Sequence, residues 1–137
     1  MGEDLIGEIE ALAERDGRFH KDAYFFIYQA LRFTVDKLGH KGPCHISGGE
    51  LLSGISDYGL DQFGPLTHSV FARWGVHETR DFGTIVFNLV DAQLMSKTER
   101  DCIEDFEDIY DFSEEFNWKK RKMEFSKVPG MDLERQT

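Results

Sequence analysis

Between residues 43 and 95, helix start and stop signals alternate with apolar faces almost without a break, and that leaves few folds open. Ser47 is followed three residues on by Glu50, a pattern in which each side chain accepts the other residue's free backbone N–H. Ile46 and Leu51 stand at the two positions of a hydrophobic staple. Leu51, Leu52, Ile55 and Tyr58 give this helix a buried face. Gly54 and Gly59 weaken it, and Gly64-Pro65 ends it after Phe63. Pro65 suits the first turn of a further helix, where its missing N–H costs nothing. Leu66, Val70, Phe71 and Trp74 share that helix's face, and Gly75 closes it. Thr79 is expected to cap a fifth helix, in which Phe82, Ile85, Val86, Leu89 and Val90 follow the 3.6-residue period to about Leu94.

Two helices precede this core. Residues 3–14 are amphipathic, with Leu5, Ile6, Ile9, Leu12 and Ala13 on one face and Arg15-Asp16-Gly17-Arg18 as the stop. From Asp22 to Leu38, Tyr24, Ile27, Tyr28, Leu31, Val35 and Leu38 recur at helical spacing, and Phe25, Phe26, Ala30 and Phe33 widen the apolar surface. A helix this apolar is expected at the centre of the fold, with neighbours on two sides and Gly39 as its C-terminal cap.

After Leu94 the pattern fits two templates. The polar turn Thr98-Glu99-Arg100-Asp101 can join two strands, with Phe106, Tyr110 and Phe112 on one strand face and Asp108 interrupting it. Alternatively Thr98 caps a helix in which Ile103, Phe106 and Tyr110 align, but Ser113 falls at the next position on that face. Beyond Trp118 the chain turns polar and basic without periodicity, so residues 119–137 read as a disordered basic tail. The expectation is a mainly α, compact five-helix domain over residues 1–118. Its order of helices is that of a winged helix, with a C-terminal β-hairpin as the wing.

Charge narrows the function classes. A formal net charge of −10 disfavours broad nucleic-acid binding, which needs a basic surface to release counterions. Residues 99–115 hold nine acids (Glu99, Asp101, Glu104, Asp105, Glu107, Asp108, Asp111, Glu114, Glu115) against Arg100 alone. Residues 117–137 hold six bases and three acids. An acidic run of this kind is either a solvated face or a dock for a basic partner. Cys44 and Cys102 form no disulfide framework. No secretory leader, bilayer-length apolar stretch or myristoylation pattern is present, and a cytoplasmic setting without membrane attachment is expected.

Several strings are distinctive as a set: Ser47-Gly48-Gly49-Glu50-Leu51-Leu52, Asp61-Gln62-Phe63-Gly64-Pro65-Leu66, Trp74-Gly75-Val76, Asp81-Phe82-Gly83, Val86-Phe87-Asn88-Leu89-Val90, and Asp105-Phe106 followed by Tyr110-Asp111-Phe112. With them the chain resembles an uncharacterised bacterial family of about this length, associated with planctomycetes and verrucomicrobia. The resemblance spans roughly residues 8–117. It implies no activity, cofactor or site residue.

Chemistry-bearing clusters are sparse. His40, Cys44 and His45 offer ligand types for zinc, yet a fourth ligand would have to come from Cys102, His20, His68 or His77. Cys44 ahead of a helix N-terminus could be an activated thiol, but no triad is legible around it. Ser47-Gly48-Gly49 lacks the Lys-Ser/Thr ending of a phosphate loop, and the capping box accounts for it. Asp105, Asp108 and Asp111 do not make a calcium loop. No cofactor is implied. These observations point to a non-enzymatic protein-binding or adaptor module. Glu104, Asp105, Glu107, Asp108 and Asp111 would meet a basic partner, and Arg73 and Trp74, with Phe71, Tyr58 and Phe63, would line an apolar groove between helices three to five. A winged-helix nucleic-acid reader using residues 80–94, led by Arg80, and a small metal- or thiol-dependent enzyme at Cys44 and His45 are the rivals.

Overall fold

The computed structural model describes residues 2–39, 46–95 and 106–119. In order they form α1 (Gly2–Asp16), α2 (Lys21–Leu38), α3 (Gly48–Phe63), a 3-10 turn at Gly64–Leu66, α4 (Thr67–Arg73), α5 (Thr79–Asp91) and the single turn α6 (Phe112–Glu115). None of these helices is long and apolar enough to cross a membrane.

The helix boundaries follow local chemistry. At α3 the capping box is formed: the Glu50 N–H donates to Ser47 Oγ (3.1 Å) and the Ser47 N–H to Glu50 Oε1 (3.0 Å). The staple residues Ile46 and Leu51 are both buried. The cap of α2 is His20, whose Nδ1 accepts from the Asp22 N–H at 3.0 Å, so the helix begins one residue before the expected Asp22. Pro65 lies in the 3-10 turn, and α4 proper starts two residues later at Thr67. Thr79 is not the cap of α5 but its first residue. The free N–H groups of His77 and Glu78 are instead taken by the Asp81 carboxylate, at 2.8 and 3.2 Å. The helix ends at Asp91, three residues short of the expected Leu94, and Gln93 turns left-handed at φ 63°.

As its breadth of apolar surface predicts, α2 is the hub, packed against α1, α3 and α5. Tyr24, Ile27 and Ala30 are completely buried along it. Its contact with α3 depends on Gly54. A Cβ there would overlap the hydroxyl of Thr34, which itself donates to the Ala30 carbonyl at 2.7 Å. The glycine that weakens α3 as an isolated helix is what allows the two helices to touch.

No strand occurs among the described residues, so the expected C-terminal hairpin is not present in its described half, residues 106–112. Residues 96–105 lie outside the described residues, as do residues 120–137 and the disorder expected of them. The physical reason for the turn conformation is visible in two observations. Asp108 is left-handed at φ 49°, which breaks any extended run. Phe106, Phe112 and Phe116 are each at most 5% exposed and enter the core from one strap of chain. Without a strand the described residues carry no wing, and the regular elements they form are all helical.

Candidate interaction surface

The acidic run is expected to be a solvated face or a dock, and its described part instead begins as packing. Phe106 sits over Gly83, where a Cβ would come within 2.7 Å of the Phe106 Cβ and Cγ, and its ring meets Phe87 at 6.1 Å. Phe112 and Phe116 stack on each other at 5.0 Å and both reach Phe71, at 6.0 and 5.2 Å. The polar residues between these rings then find partners on α3 and α5. Glu107 pairs with Arg80, Glu115 accepts from the buried Ser56 hydroxyl, and the Tyr110 hydroxyl donates to the Leu52 carbonyl at 3.0 Å. The Ile109 N–H donates to Thr79 Oγ1 at 3.2 Å. The Asp111 carboxylate caps α6, accepting from the Glu114 N–H at 3.3 Å.

The consequence is a pinned turn. Glu107 and Tyr110 are anchored on either side of Asp108 and Ile109, and Ile109 is 47% exposed directly after the acidic Asp108. Asp108, Asp111 and Glu114 are exposed in the same segment. An exposed apolar residue held at a fixed position in an acid-rich segment is a candidate contact point.

The expected surface residues that are described fall on two segments, the end of α4 and the chain from Phe106 to α6. Glu104 and Asp105 lie outside the described residues. Arg73 is exposed. Trp74 is spent on packing: its ring lies 5.5 Å from Phe26, 5.7 Å from Phe63 and 5.9 Å from Phe71. With Tyr58, these rings knit α2, α3 and α4 together, so the expected groove among helices three to five is occupied by its own aromatics. Among the described residues, no hydrogen bond, ion pair or ring contact joins Arg73 or Trp74 to Glu107, Asp108 or Asp111. Cys44, His45, His40 and Cys102 fall outside the described residues. His20 is a helix cap, and the exposed His68 meets the edges of Phe112 and Phe116.

A second polar feature lies between the ends of α1 and α5 and has no counterpart in the sequence reading. The completely buried Tyr24 hydroxyl donates to Asp16 Oδ2 at 3.2 Å and accepts from Asn88 Nδ2 at 3.0 Å. Burial pushes this phenol up to about 12, against the Asn88 hydrogen bond, and the Asp16 carboxylate adds to the rise. In front of it a cleft of about 290 Å³ is lined by Leu12, Arg15, Asp16, Asn88, Asp91 and Ala92. Tyr24 is legible in the sequence only as a core position, and Asn88 and Asp91 only as polar points on an amphipathic helix. Their meeting depends on how α1 crosses α2 and α5.

No protein-family model, curated protein or solved structure matches the chain.

Proposed function

We propose that this protein is a non-enzymatic protein-binding module that docks a partner with a basic surface. The contact is the pinned acidic turn at residues 107–114. One observation carries this reading: Ile109 is exposed at 47% in a segment whose neighbours on both sides are tied to α3 and α5. A partner meeting this turn immobilises little chain, so less ordering entropy opposes binding. The carboxylates of Asp108, Asp111 and Glu114 supply complementary charge, which speeds encounter and rejects acidic competitors.

The nucleic-acid reading loses support at α5. Arg80, its leading base, is paired with Glu107, and Asn88 is turned inward to Tyr24. What remains exposed on that helix offers few phosphate contacts.

The test is capture from native lysate with the wild-type chain and with an Asp108→Asn/Ile109→Asp/Glu114→Lys variant, in which Asn keeps the left-handed backbone at 108. None of these three side chains holds the strap in place, so the variant is expected to keep its thermal midpoint. A partner retained by the wild type and lost by the variant, with binding weakened by salt, is the expected result. The same partners on both proteins would overturn the assignment of the turn.

A further inference from the structure

We propose that the cleft between the ends of α1 and α5 is a binding site for a small zwitterion of the α-amino-acid class. Two opposite charges line the opening. Arg15 comes from the last turn of α1, and Asp91 is the last residue of α5. Both are exposed, and neither has a hydrogen bond or ion pair with any described residue. Asp91 is the more telling of the two. A carboxylate at a helix C-terminus faces the negative end of the macrodipole, and the last turn of α5 holds no basic residue to offset it. Its position is unfavourable for the fold and suited to an external cation.

The floor of the cleft is preorganised. Asp16 and Asn88 are held in place by the buried Tyr24 hydroxyl, which bonds to both, and Arg18 Nε lies 3.8 Å from Asp16. Leu12 and Ala92 supply apolar wall. A free α-amino acid matches this arrangement: its carboxylate is taken by Arg15, its ammonium by Asp91, and its side chain lies against Leu12 and Ala92. A volume of about 290 Å³ admits such a ligand. This site is separate from the acidic turn and stands whether or not the turn binds a protein.

The experiment is an amide-resolved NMR titration of the full chain with the free L-α-amino acids one at a time. Each is repeated as its N-acetyl and its carboxamide derivative. At least one free amino acid is expected to shift the Asn88 side-chain amide and the backbone around Arg15 and Asp91, with a saturable curve. Removing either ligand charge should weaken binding by about tenfold or more, the scale of one charge-assisted hydrogen bond. Arg15→Gln and Asp91→Asn should do the same although they move the thermal midpoint slightly in opposite directions. Asp91→Asn relieves the C-terminus of α5 and raises it, and Arg15→Gln removes a cation from the last turn of α1 and lowers it. Weaker binding by both therefore cannot come from lost folding. If no free amino acid moves Asn88, or if blocked derivatives bind as well as the zwitterion, the proposal is overturned.

Discussion

A methyl group is the smallest probe of how closely the helices and the C-terminal strap approach. Gly83→Ala places a Cβ 2.7 Å from Phe106, on atoms that cannot swing aside without lifting the ring from the core. We expect a loss of about 1–3 kcal/mol in urea unfolding, the range for overpacking. Gly7→Ala, on the open face of α1 with nothing within 4 Å, is the control and should gain up to about 1 kcal/mol from helix propensity. At Tyr24 the relevant probe is a proton. Its folded pKa of about 12 stands above the ordinary 10.0, so the folded state holds this proton more tightly than the unfolded chain. The associated stability is fully present below pH 10 and lost as pH rises toward 12, by on the order of 2–3 kcal/mol. Absorbance titration should find one of the four tyrosines ionising last, and Tyr24→Phe should remove that late step.

At the scale of elements, the strap of residues 106–116 is held by named contacts, and each can be withdrawn. Thr79→Val keeps the volume but takes away the acceptor for the Ile109 N–H, with an expected cost of about 1–2 kcal/mol and faster hydrogen exchange at Ile109. Ser47→Ala removes half of the capping box and should cost about 1 kcal/mol, with fraying confined to the start of α3. The two variants also mark what was legible in the sequence. The box at Ser47 and Glu50 was, because both partners lie within one turn and cap chemistry is local. Thr79 looks like a cap for the same local reason, but its partner is thirty residues away and Asp81 does the capping. The strap was ambiguous because its aromatic spacing answers to three separate receptors, Gly83, Phe71 and Phe82, and so follows neither the helical nor the strand period. Of the expected pair, Arg73 is exposed and Trp74 is partly buried against Phe26, Phe63 and Phe71, a packing role that spacing alone does not report. The hub role of α2, by contrast, followed directly from an apolar surface wider than one neighbour could cover.

For the molecule as a whole, the core is closed by residues far apart in the chain. Phe71 meets Phe26 of α2, Trp74 just past α4, Phe82 of α5 and Phe112 of α6 at once. Deleting residues 106–119 removes three buried phenylalanines and leaves the faces of Gly83, Phe71 and Ser56 uncovered. Truncating a core phenylalanine costs about 3–5 kcal/mol, and total stabilities of small domains are about 5–15 kcal/mol. We therefore expect the chain ending before Phe106 to lose cooperative unfolding, seen as a flat calorimetric trace. The same separation governs the order of events during synthesis. Tyr110 must reach back 58 residues to Leu52, and Glu115 must reach 59 to Ser56. A ribosome delivers α1 to α5 well before Phe112 and Phe116 emerge, and until then Phe71 has no lid. The nascent helices must wait with that apolar face open to chaperones, and a message cut short before Phe106 yields a substrate for proteases in place of a smaller working protein.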